Sequence, residues 1–116
     1  MPHPVLVTEW PTGDSLRLWL TQNAVGVQAD LELVDEIVGD ASASVFEDID
    51  PAKLPDDPDL CPRTVARAIV LEAARLLYRR QSPHGMAAFG DVALRLRSVD
   101  IDVEKLIHAY TFDASP

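Results

Sequence analysis

Residues 62–81 read PRTVARAIVLEAARLLYRRQ, and the reading of this stretch decides the fold. Proline is tolerated in the first turn of a helix, where its missing N–H has no intrahelical acceptor, and no breaker follows Pro62 until Ser82-Pro83. The stretch therefore predicts a helix over 62–81, roughly 30 Å long at the α-helical rise. Val65, Ala66, Ala68, Ile69, Val70, Leu71, Ala73, Ala74, Leu76, Leu77 and Tyr78 occupy much of its circumference. A helix apolar over so wide an arc needs neighbours on several sides, so it is expected at the centre of the domain.

Working outward, Leu31, Val34, Ile37, Val38, Ala41 and Val45 recur at helical spacing, with Glu32, Asp35, Glu36 and Asp40 largely opposite them. This predicts an amphipathic helix over about 30–47, ending before Asp50-Pro51. Before it, Asp14 is placed to cap a short helix over 15–22, with Leu16, Trp19 and Leu20 on one face and a loop over 23–27 beyond. The run from Asp50 to Pro62 holds four prolines and four aspartates, which favours an extended, solvated connection. Downstream of the central helix, Ser82-Pro83-His84-Gly85 stops and turns the chain. Val92, Leu94 and Leu96 then alternate with Ala93, Arg95 and Arg97, the period of a strand with one basic face, and no other strand is evident. Asp100 or Asp102 is placed to cap a last helix over 102–110, with Val103, Leu106, Ile107 and Tyr110 on its apolar face. The expected fold class is mainly α: a single-domain, small four-helix bundle with a projecting extended loop or short strand, the arm at 83–99, between the last two helices.

The 116 residues fit one domain, 47% of them hydrophobic, and no apolar run approaches the roughly 20 residues that span a bilayer. No secretory signal is visible at Met1-Pro2-His3-Pro4, and a single cysteine makes no internal disulfide, so a reducing cytoplasm is the expected place of assembly. The net charge of −9 is unevenly placed. Residues 1–60 contain 13 acids against Arg17 and Lys53, whereas Arg63 to Arg97 contains seven arginines against Glu72 and Asp91. Two explanations stand side by side: neutralisation of acidic helices by the basic helix within one chain, or contact between the acidic face of one copy and the basic face of another.

Catalysis is not indicated. There is no Gly-rich phosphate loop, no nucleophile elbow and no Cys/His cluster at metal spacing. Cys61, with no histidine near it in sequence, reads as a small packed residue. Asp100, Asp102 and Glu104 lack the turn glycine and later glutamate of a calcium loop and are better explained as a helix start. Glu72 and Arg75, three apart, make a local helix pair. His3, His84 and His108 are scattered and read as surface or packed residues. No metal or cofactor is therefore expected, and a protein of charge −9 is a poor binder of duplex phosphates.

From Leu60 to Tyr110 the chain resembles the small head-to-tail connector, or adaptor, proteins of tailed bacteriophages, particularly those of actinobacterial siphophages. The resemblance rests on the order of RTVARAIVLEAARLLYRR, Ser82-Pro83 with Gly85, Phe89-Gly90, a short arginine-bearing segment, and Asp100-x-Asp102-Val103-Glu104-x-Leu106-Ile107 ending at Tyr110. The first 60 residues match only as a pattern of helices and connection, and Ser42-Ala43-Ser44-Val45-Phe46-Glu47-Asp48 is acidic where such adaptors are more aromatic and basic.

The resemblance implies a virion structural protein of the neck, assembled in the host bacterial cytoplasm. Such adaptors form a ring, usually of twelve subunits, beneath the portal protein, and extend the DNA channel towards a stopper or tail protein. Their fold is a helical bundle whose arm and helix flanks build the ring. On this reading the subunit and portal interface is expected to involve Arg79, Arg80, Met86, Phe89, Val92, Leu94, Arg95, Leu96, Arg97 and Phe112. DNA would pass through the channel without sequence-specific binding, helped by the net negative charge. The competing expectation is a cellular helical regulator that binds a protein or nucleic acid through the 63–80 helix. The last six residues, 111–116, read either as a frayed end or as a portal-contacting tail.

Overall fold

The computed structural model describes residues 6–22, 31–81 and 99–112. The predicted loop at 23–27, the SPHG turn, residues 83–98 of the arm with their alternating segment, and residues 113–116 lie outside the described residues. The order of elements is β1 (Val7–Glu9), α1 (Gly13–Gln22), α2 (Leu31–Phe46), a 3-10 turn at Pro51–Lys53, β2 (Leu60–Pro62), α3 (Arg63–Gln81), α4 (Val99–Ile107) and a 3-10 turn at His108–Tyr110. The described chain is mainly helical, with four α-helices and a two-stranded antiparallel sheet.

α3 is the central element and packs against α1, α2 and α4. Its buried side chains are Val65, Ala68, Ile69, Glu72, Ala73, Ala74 and Leu77, while Arg63, Arg67, Arg79 and Arg80 are exposed. The core is completed by Leu16 and Leu20 from α1, Val34, Ile37, Val38, Ala41 and Val45 from α2, and Ile107 from α4. The apolar periodicity read for α1 and α2 is thus the face each helix buries, and Glu32, Asp35, Glu36 and Asp40 are exposed as expected.

Three helix starts differ from the sequence reading. α1 begins at Gly13, two residues early, because Thr12 rather than Asp14 ends the preceding chain: the Ser15 and Leu16 N–H groups donate to the Thr12 carbonyl at 3.0 and 3.4 Å, and Ser15 Oγ accepts the Thr12 N–H at 3.0 Å. A carboxylate does serve this terminus, but it is Asp35 of α2, whose Oδ1 accepts the Gly13 N–H at 2.8 Å. A Cβ on residue 13 would clash with Asp35 Oδ1 and lie 2.9 Å from Val34 Cγ2, so a larger residue there would have to displace the carboxylate that serves the helix start. α4 starts at Val99, so Asp102 lies within the helix and not at its cap. With no Gly or Pro between Val99 and Asp102, helix growth towards the N-terminus meets no barrier. α3 starts at Arg63, with Pro62 buried as the last residue of β2.

The connection from Asp50 to Pro62 is also not simply extended and solvated. Asp50 Oδ1 accepts the Ala52 N–H at 3.0 Å and caps the turn at Pro51–Lys53. Leu60, Cys61 and Pro62 then pair with Glu9, Thr8 and Val7. The Arg63 N–H continues this ladder to the Leu6 carbonyl at 2.9 Å. The chain end closes on the same region: the Asp50 N–H donates to the Tyr110 carbonyl at 2.8 Å and Lys53 Nζ to the Thr111 carbonyl at 2.7 Å.

Candidate interaction surface

β1 is held to β2 on one side and exposed at each of its three residues. In an antiparallel ladder, residues alternate between facing the partner and facing away. Since Leu6 faces β2 through the Arg63 N–H, and Thr8 lies two residues on, the N–H and C=O of Val7 and Glu9 point away from β2. Pro62 stands opposite Val7, a position at which no N–H is required of it. Trp10 then anchors the strand end, donating Nε1–H to the Pro58 carbonyl at 2.8 Å and packing its ring, tilted by 41°, against Phe46 at 5.2 Å between centroids.

Beside this strand lies a groove of about 510 Å³ between β1, α1 and α3, lined by Thr8, Glu9, Leu18, Trp19, Arg67 and Val70 among others. Its rim carries Leu18, 58% exposed on the side of α1 opposite Leu16 and Leu20. The α1 sequence contains the signal for it: LRLWL places Leu18 off the stripe that buries its neighbours. The strand edge was not legible, because three residues, VTE, carry too little alternation to stand out.

Of the interface residues expected from sequence, Arg79 and Arg80 lie exposed in the last turn of α3, where cations favour the helix dipole. Arg80 has an acidic neighbour in its own chain, Glu36 of α2, at 3.7 Å. Phe112 is 57% exposed beside a cavity of about 400 Å³ lined also by Ile107, His108 and Glu104. Met86, Phe89, Val92, Leu94, Arg95, Leu96 and Arg97 lie outside the described residues. The structure therefore does not bring Arg79 and Arg80 together with Phe112 and the groove into one cluster.

Two further polar features belong to the core. Glu72 and Arg75 pair at 3.5 Å, as their spacing predicted, in a cleft of about 270 Å³ also lined by Asp48, Val103 and Glu104. Cys61 is fully buried, and that burial pushes its thiol up from 9.0 to about 11, against a smaller opposing effect of the Ala66 backbone N–H. A thiol so held is almost wholly protonated at neutral pH and acts as a packed side chain. Among the described residues no group of three His, Cys, Asp or Glu side chains is arranged to hold a metal ion, and no helix is long and apolar enough to cross a membrane. The chain matches no known protein family, no curated protein and no solved structure.

Proposed function

We propose that this protein is a virion structural subunit that assembles into the head-to-tail adaptor ring beneath a phage portal, without catalytic activity. The observation that carries the reading is the ordered series from Leu60 to Tyr110: central helix, Ser-Pro stop, Phe-Gly, arginine-bearing segment and terminal acidic helix start. The central position of α3, with α4 packed against it, is compatible with a helical bundle. By the same resemblance the ring has twelve copies. Exposed surfaces of both signs on one chain, the acids of α2 and the arginines of α3, suit a head-to-tail contact between copies.

Light scattering of the purified chain mixed with a portal ring tests the proposal. Expected is a single large species containing both proteins, with the adaptor in stoichiometric rather than trace amount. A small stable dimer that ignores the portal and retards a DNA duplex on a gel would replace this reading with that of a helical regulator acting through Arg63, Arg67, Arg79 and Arg80, all exposed on α3.

A further inference from the structure

We infer that the groove between β1, α1 and α3 docks an amphipathic helix of a different protein, one whose apolar stripe is flanked by a basic and an acidic residue. The inference goes beyond the adaptor reading and needs neither a ring nor a portal.

The walls of the groove are the first observation. Ser15, Leu18, Trp19 and Gln22 of α1 line it at i, i+3, i+4 and i+7, and Ala66 and Val70 of α3 line it one turn apart. Two rows of side chains spaced by helical turns form a valley into which the ridges of a third helix pack. The α1 wall is about 10 Å long, two turns at the helical rise. Its side chains repeat about every 5.4 Å, in step with another helix. Side chains on one face of an extended segment repeat about every 6.8 Å and fall out of step with them.

The second observation is that α1 is apolar on two sides. Leu16 and Leu20 enter the core, whereas Leu18 and Trp19 line the groove, where Trp19 is partly buried and Leu18 is mostly exposed. A single exposed leucine is ordinary, but one that shares a groove with a tryptophan and a valine offers continuous apolar surface to a partner.

Charge is the third observation, and it selects among helices. Glu9 of β1 and Arg67 of α3 both line the groove and both are exposed. Neither belongs to an ion pair among the described residues, where Glu72 pairs with Arg75 and Glu36 with Arg80. The α1 wall between them in sequence, from Ser15 to Gln22, sets no charged side chain into the groove. A helix that brings a Lys or Arg to Glu9 and an Asp or Glu to Arg67 is favoured at both positions, and one with the two charges exchanged is opposed at both.

The helix comes from another protein rather than a second copy. α1, α2, α3 and α4 each turn an apolar face to the core of their own chain. Among them only α1 has a second apolar face, and that face is the groove itself.

The test uses the full-length, isotope-labelled chain and synthetic helical peptides with leucine at i, i+3, i+4 and i+7. One peptide has lysine on one flank of the stripe and glutamate on the other, a second has them exchanged, a third has neither, and a fourth of the same composition is held extended by prolines. The readout is the indole N–H signal of Trp19 in nitrogen–proton spectra, with that of Trp10, bonded to the Pro58 carbonyl, as internal control. Expected is a saturable shift of the Trp19 signal alone, with one charge placement binding at least tenfold more tightly than its exchanged twin. Leu18→Glu, at an exposed position, should abolish the shift and leave the melting temperature unchanged. Arg67→Glu should transfer the preference to the peptide with lysine in place of that glutamate.

The inference is overturned if no peptide moves the Trp19 signal, if exchanging the charges makes no difference, or if the extended peptide binds as well as the helical one. Loss of the chain's own self-association in Leu18→Glu would assign the groove to a second copy and overturn it too. A chain that joins a portal ring yet ignores every peptide keeps the adaptor reading and loses this inference; one that binds the matched peptide and no portal does the reverse.

Discussion

α3 contributes an arginine to each of two acid–arginine pairs, one within the helix and one reaching to α2, and the two differ in the folded protein. Glu72 and Arg75 lie a turn apart on one helix, with side chains 9% and 17% exposed and 3.5 Å between them. Arg80 and Glu36 join two helices, with side chains 47% and 62% exposed and 3.7 Å between them. Water screens the second pair and allows each partner to leave at small cost. The first has surrendered most of its hydration to the cleft between α2, α3 and α4, which Asp48 and Glu104 also line. The difference teaches that burial, not proximity in sequence, decides whether an ion pair on this helix holds the fold or merely decorates it.

The comparison is calibrated first by the apolar face on which the buried pair sits. Ile69→Ala, at a fully buried position, is expected to destabilise the protein by about 2–5 kcal/mol in urea unfolding. Glu72→Ala is expected to cost less, about 1–3 kcal/mol, because a part-buried Arg75 loses its charge-assisted hydrogen bond to Glu72. Replacing both partners, as in Glu72→Leu with Arg75→Met, should recover most of that loss; a double variant as unstable as the single one would show that the pair is not the source of the effect.

The next contrast concerns a buried group that titrates. The folded thiol of Cys61 ionises at about 11 and the unfolded one near 9.0, so above 9 the unfolded chain releases its proton first. Stability should therefore fall as pH rises through that window, by up to about 3 kcal/mol. The measurement is the difference in pH dependence between the parent and Cys61→Ala, which isolates the thiol. Identical slopes would contradict the assignment.

The smallest effect is expected at the exposed pair. Arg80→Ala should change stability by about 0.2–1 kcal/mol, with the change shrinking as salt is added. A salt-independent loss of several kcal/mol would erase the distinction between the two pairs.

The candidate surface divides in the same way between what was legible and what was not. Arg79 and Arg80 are found at the end of α3 because a run of charge before a Ser-Pro stop is a local signal. Thr8, Glu9, Leu18 and Trp19 were not joined to Val70 by any sequence pattern, since their groove exists only once α1 and the N-terminal strand are folded against α3.

By itself the sequence determined the four helices and the face that each described one turns to the core, because periodicity and the Pro and Gly breakers act over a few residues. Tertiary structure alone decided three other things. It paired Val7–Glu9 with Leu60–Pro62, turning a proline-rich connection into a strand. It replaced Asp14 with Asp35 as the carboxylate at the start of α1. It also buried one ion pair of α3 and left the other in water. Each of these depends on groups brought together across the fold, and neither spacing nor propensity within one segment contains that information.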